Sequence, residues 1–191
     1  MAIKVTTVGV GVRFIAPALP RKTARTAKRK PLRLKGFDYS SVGMYFVTIC
    51  TRERECLFGE IIEASMQLNG FGRVVEACWK DLPTHFGRIA IDAAVVMPNH
   101  VHGIVCVEEQ EPGAMNRAPT LGEIVRNFKA RCARAWRREQ EDCRLSSLWQ
   151  RGYYEHVIRN EADLTRVREY IANNPLRWAL DRENPACSVS H

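Results

Sequence analysis

The chain has 191 residues, 46% of them hydrophobic and 26% charged, with a formal net charge of +8. This is the length of one domain with an ordinary globular composition, and no stretch approaches the roughly 18 consecutive apolar residues that a helical membrane span needs. Its seven cysteines are odd in number and include no Cys-x-x-Cys pair, which argues against a disulfide framework and for the reducing cytoplasm.

The positive charge is concentrated at the start. Residues 1–37 carry ten Lys or Arg and no acid, while residues 38–191 carry nineteen basic against twenty-one acidic residues. Residues 1–31 show no sustained periodicity and are read as a basic, disordered leader. Arg13 breaks their apolar stretch, so a signal peptide is not expected. A domain is expected over 32–181, and 182–191 as a short tail. A basic arm suggests a nucleic-acid partner.

Met44 to Thr51 is rich in β-branched and aromatic residues and almost uniformly apolar, which predicts a central strand covered on both faces. A turn and one short strand near Glu60 to Leu68 follow. From Asn69, the residues Phe71, Val74, Val75, Cys78 and Leu82 fall at helical spacing, with Pro83 expected to end the helix. Arg88 to Met97 alternates in part. It is expected to pair, through the Pro98-Asn99 turn, with a strand running from Val101 to Val107.

Residues 108–118 form a polar connection. Thr120-x-x-Glu123 is a capping-box pattern, and Leu121, Ile124, Val125, Phe128, Cys132 and Trp136 make one helical stripe. Six basic residues fall within Arg126–Arg138 with no acid among them, and Arg126, Lys129 and Arg134 are the candidates for contact with nucleic-acid phosphates. Leu148 to Ile158 predicts a last strand. Asn160 then caps a helix that must stop near Asn173-Asn174-Pro175. The order of strands and helices predicts an α+β sandwich, with helices packed on a mainly antiparallel sheet.

Two places on this framework carry chemistry. His100 and His102 are two apart at the mouth of a strand, so their imidazoles share a face and can reach one metal ion. Tyr170 and Asn174 are four apart on the last helix and leave it in the same direction. Donor chemistry alone suggests zinc or another borderline metal for two imidazoles. Tyr153 and Tyr154, which a strand would point to opposite faces, are rivals of Tyr170 for any role of a phenol, and His156 is a further candidate for the site.

Four motifs occur in order: Gly36-Phe-Asp-Tyr-Ser-Ser-Val-Gly-Met-Tyr-Phe-Val-Thr-Ile-Cys-Thr51, Met97-Pro-Asn-His-Val-His-Gly-Ile104, Leu148-Trp-Gln-Arg-Gly-Tyr-Tyr-Glu-His-Val-Ile-Arg-Asn160 and Tyr170-Ile-Ala-Asn-Asn-Pro175. Together they closely resemble the REP-associated tyrosine transposases, within the single-tyrosine HUH transposase class, over about residues 32–181. The resemblance implies a ferredoxin-like HUH nuclease sandwich that cuts and rejoins single-stranded hairpin DNA as a monomer or homodimer, with Mg2+ or Mn2+. By motif, His100, His102 and Asn174 match the metal ligands and Tyr170 the nucleophile. The basic leader and the 108–118 connection depart from the family pattern. A non-catalytic module that holds hairpin DNA or RNA, and a phosphodiesterase using water, are the competing readings.

Overall fold

A computed structural model describes residues 38–109, 119–139, 147–181 and 183–185. The basic leader 1–31, most of the 108–118 connection and most of the 182–191 tail lie outside the described residues. By its contacts the chain divides into residues 1–30 and 31–191, and every described residue belongs to the second unit.

The elements in order are β1 (Gly43–Cys50), β2 (Gly59–Ile62), β3 (Ser65–Leu68), α1 (Gly70–Lys80), α2 (Leu82–His85), β4 (Ile89–Met97), β5 (His100–Val107), α3 (Leu121–Glu139), β6 (Tyr154–Ile158) and α4 (Glu161–Ala172), followed by a 3-10 turn (Pro175–Leu180). Four strands form one sheet in the order β4-β5-β1-β6, and each neighbouring pair is antiparallel. With α1 and α3 as the two crossovers this is the split βαβ arrangement of ferredoxin-like folds.

Strand alternation sorts the core into two halves. Tyr45, Val47 and Ile49 of β1 and Val101 and Val105 of β5 face α1 and α3, where they pack with Phe71, Val75, Trp79, Ile124 and Phe128. Phe46 of β1, Ile104 of β5 and Ile158 of β6 face the other way and pack under Leu164 and Ile171 of α4. The long helix pair therefore covers one face of the sheet and α4 the other. The expectation of a central strand covered on both faces holds for β1, which lies between β5 and β6.

Gly103 permits the close packing on the first face. A Cβ there would stand 2.2 Å from Cζ2 of Trp79, so glycine lets the indole of α1 approach β5 this closely. On the edge, Ile91 and Ala94 of β4 pair with Val105 and Gly103. Asp92 and Ala93 thus stand opposite the single residue Ile104, which is a β-bulge. The bulge offers the Asp92 carboxylate to Arg168 of α4, which donates from Nε at 2.9 Å and from a terminal nitrogen at 2.7 Å.

Three local expectations are corrected. The single short strand near Glu60 to Leu68 is a hairpin, β2–β3, closed by Glu63 and Ala64, both at positive φ. That is the two-residue turn hairpins prefer, formed without the Asn-Gly that would have marked it. The first helix ends at Lys80, with Asp81 at its C-cap, and Pro83 lies inside the short α2. Of the expected strand Leu148 to Ile158 only Tyr154–Ile158 is regular. Gly152 at φ +82° breaks it, and the earlier part runs beside the end of β1 through a Thr51–Trp149 bridge and a bond from Gln150 N to Cys50 O at 2.9 Å. The capping box of α3 forms: Thr120 N and Oγ1 both donate to Glu123 Oε2, and Glu123 N donates back to Thr120 Oγ1.

Candidate active site

His100 and His102 begin β5 and project onto the α4 side of the sheet, with ring centroids 4.4 Å apart. Both are almost wholly buried, at 0% and 3% exposure. Their outer ring nitrogens are held by neighbours. Nδ1 of His100 lies 2.9 Å from Asn99 Oδ1, and Nδ1 of His102 lies 2.9 Å from Thr48 Oγ1 on β1.

Asn99 fixes the tautomer of His100. Its amide nitrogen donates to Arg54 O at 2.9 Å and to Glu183 O at 2.6 Å, so Oδ1 is the acceptor and His100 Nδ1 carries the proton. The lone pair is left on Nε2, which is buried and has no hydrogen-bond partner. Burial holds both imidazoles neutral: it lowers His100 to about 3, with Asn174 opposing the shift. His102 is likewise pushed well below its ordinary value by burial and by His100.

The helix α4 brings the second pair of residues. Asn160 caps it by accepting from Asp163 N at 2.9 Å. Packing of Leu164, Val167 and Ile171 then turns Tyr170 towards the histidines. The Tyr170 hydroxyl lies 3.4 Å from His102 Nε2, and the Phe46 ring stands edge-on to Tyr170 and stacked on His102. Burial, reinforced by Asp181, raises the Tyr170 phenol to about 12. Asn174 follows the helix C-cap Asn173 and is 2% exposed, and its Oδ1 is buried without a hydrogen-bond partner. The four residues singled out in the sequence are thus gathered on one face, with two orphaned acceptor atoms among them.

The rival residues separate. Tyr153 packs on the α1–α3 side and Tyr154 on the α4 side. Tyr154 meets Phe46 edge-on rather than the histidines. His156 bonds to Asp163 Oδ2 at 2.8 Å, tying β6 to the first turn of α4.

The basic helix lies elsewhere. Because α3 packs on the opposite face of the sheet, its candidates do not join this cluster. Arg126 and Arg134 are exposed. Lys129 also works inside the fold: its ammonium donates to Gln150 O at 2.8 Å and to Gly152 O, holding the segment that leads into β6. Burial lowers Lys129 to about 8.

Four residues near the histidines were not singled out from sequence. Thr48 and Asn99 orient the rings, Asn99 having been read only as a turn residue. One ligand atom each of His100, His102 and Asp181 lie within 4.8 Å of one another, and Glu183 pairs with Arg54 at 3.0 Å beside them. Asp181 and Glu183 lie beyond the helix that the motif defines, and no spacing rule links them to the His pair.

The buried donor set fits a metal ion: two neutral imidazoles with their remaining nitrogens turned inward, and an orphaned amide oxygen. A phenol and a cluster able to hold a metal ion thus share one face of a ferredoxin-like sheet. The family described as "Transposase IS200 like" matches residues 39–174, and the chain belongs to that family. It is 42% identical over 168 residues to an uncharacterised protein of Haemophilus influenzae, covering 81% of this chain and 92% of that one. It is 26% identical over 139 residues to the REP-associated tyrosine transposase of Escherichia coli K12, covering 73% and 70%. Among solved structures it is similar to a REP-associated tyrosine transposase bound to a REP hairpin, with TM-score 0.54, 23% identity, and coverage of 78% of this chain and 73% of that one. That structure shares the fold. No described helix is long and apolar enough to cross a membrane.

Proposed function

We propose that this protein is a divalent-metal-dependent DNA transesterase that cleaves and rejoins single-stranded hairpin DNA through a covalent 5′-phosphotyrosine on Tyr170. The observation that carries the reading is the convergence of the Tyr170 hydroxyl, His102 Nε2 and the orphaned His100 Nε2 and Asn174 Oδ1 on one sheet face.

In this reading His100, His102 and Asn174 hold Mg2+ or Mn2+. When bound, the cation neutralises the non-bridging oxygens of the scissile phosphate and favours ionisation of the nearby phenol. The protein's own groups do the rest. Asn99 keeps the His100 proton on its outer nitrogen and Thr48 holds the outer nitrogen of His102, so that both inner nitrogens face the site. Tyr170 Oη attacks phosphorus, the 3′-oxygen leaves to become a hydroxyl, and the phosphate stays esterified to the tyrosine. Because the bond is conserved as an ester, a second 3′-hydroxyl can reverse the step and join a new strand. Water as nucleophile would forfeit this.

Phosphate contacts from the exposed Arg126 and Arg134 of α3 are part of the proposal, and they require DNA that reaches both faces of the sheet. The relatives' names and the hairpin in the similar solved structure support hairpin DNA as the substrate.

The test is incubation of the full chain with end-labelled hairpin oligonucleotides and Mn2+. A labelled, denaturation-resistant protein–DNA adduct and a free 3′-hydroxyl product are expected. Binding without cleavage would leave a hairpin-binding module instead, and cleavage without an adduct would leave a hydrolase.

A further inference from the structure

The proposed ligand set uses two imidazoles and an amide oxygen and leaves Asp181 without a role. We infer that the Asp181 carboxylate is a further ligand of the same divalent cation, supplied by the segment after the 3-10 turn; the inference rests on reading this cluster as a metal centre. Ligand atoms of His100, His102 and Asp181 already lie within 4.8 Å of one another. Atoms bound to one ion at about 2.0–2.2 Å stand about 3 Å apart when adjacent and about 4.4 Å apart when opposite, so the three atoms already lie near ligating range and need only draw in around the ion. Independently, the His100 nitrogen that Asn99 leaves unprotonated is buried and has no partner.

The segment bearing Asp181 is held in place from both sides. Asp181 closes the turn Pro175–Leu180, whose Trp178 ring lies 6.0 Å from the His100 ring centroid. Its Oδ1 accepts from Glu183 N at 2.8 Å. Glu183 is then pinned twice: its carboxylate pairs with Arg54 at 3.0 Å, and its carbonyl accepts from Asn99 Nδ2 at 2.6 Å. The amide that orients His100 thus also anchors the segment that brings the carboxylate.

The chemical consequence concerns which ion the site takes. Two imidazoles with one amide oxygen suit a borderline metal, whereas an anionic oxygen moves the set towards Mn2+ and Mg2+. Asp181 is the group that makes the hard ion fit.

Direct Mn2+ titration of the full chain without DNA, followed by electron paramagnetic resonance of the free ion, tests this. The wild type should bind one Mn2+ and His100→Ala should lose it. Asp181→Asn, which keeps an oxygen for the Glu183 amide, should bind at least about tenfold more weakly. Asp181→His should reverse the preference, binding Zn2+ more tightly and Mn2+ more weakly, a change that loss of a purely structural contact would not produce. Asp181→Asn binding Mn2+ as wild type does, with His100→Ala still defective, would overturn the assignment of Asp181 and leave the metal centre standing. Equal Mn2+ binding by wild type and His100→Ala would overturn the metal centre itself, and this inference with it.

Discussion

Nε2 of His102 and the hydroxyl of Tyr170 lie 3.4 Å apart, although one residue begins a sheet strand and the other ends a helix on its surface. Their approach depends on how α4 docks, and the clearest polar tether is the fork from Arg168 to Asp92 at the β4 bulge. Asp92→Asn should change stability by less than about 1 kcal/mol, since the pair is partly exposed. It should lower the rate of DNA cleavage several-fold without changing hairpin affinity. Chemical denaturation and single-turnover cleavage measure the two. An unchanged rate would mean that apolar packing under Leu164 and Ile171, with the His156–Asp163 bond, sets the helix position without the fork.

The Gly103–Trp79 contact predicts a large effect on stability from the face of the sheet opposite the histidines. Gly103→Ala places a methyl group 2.2 Å from the indole, and overpacking of this kind costs about 1–3 kcal/mol. Trp79→Phe in the same chain should recover part of the loss, because the two positions share one contact. Urea unfolding of the single and double variants checks this, and strictly additive losses would contradict it.

Acid should destabilise the metal-free protein through the histidine pair. Burial lowers His100 to about 3 in the folded state, and lowers His102 as well. The unfolded chain therefore binds more protons between about pH 6.5 and that value. Stability present above pH 6.5 is lost as the pH falls through this window, by up to about 1.4 kcal/mol per pH unit for each imidazole. His102→Gln should flatten that slope by about one proton, read from denaturation curves at a series of pH values.

Two basic residues of α3 should behave differently. Replacing exposed Arg126 and Arg134 together by Ala should flatten the log–log salt dependence of hairpin binding by about 1.4, at roughly 0.7 per phosphate contact on single strands. Lys129→Ala should instead lower stability, because its ammonium holds Gln150 O and Gly152 O. A full effect on the salt slope from Lys129→Ala alone would show that this lysine leaves its carbonyls for DNA.

Much of this architecture was legible from periodicity. The apolar run of β1, the stripe of α3 with its capping box, and the Pro98-Asn99 connection between β4 and β5 all form near their expected bounds. What escaped depends on tertiary context or on unusual backbone. The Glu63-Ala64 turn takes positive φ without glycine, so its hairpin looked like one strand. Gly152 interrupts a stretch whose side chains are those of a strand. The His pair and the Tyr170–Asn174 pair could be found because spacing of two and of four places side chains on one face. Asp181 and Asn99 could not be assigned their places, since a single amide joins them through the Glu183 backbone and no periodicity encodes that. The two carbonyls that Lys129 holds could not be read either, because charge in a sequence does not reveal which carbonyls fold against it.

The central claim is that Tyr170 carries the DNA, and peptide mapping of the trapped adduct tests it most directly. Trypsin separates the rivals cleanly: cleavage after Arg168 and Arg177 isolates Tyr170 as the lone tyrosine of its peptide, and cleavage after Arg151 and Arg159 isolates Tyr153 with Tyr154. After reaction with hairpin DNA and Mn2+, denaturation and nuclease trimming, mass spectrometry should find the nucleotide on the Tyr170 peptide. Tyr170→Phe should yield no adduct while still binding the hairpin. A nucleotide on the peptide of Tyr153 and Tyr154, or an adduct formed undiminished by Tyr170→Phe, would contradict the account.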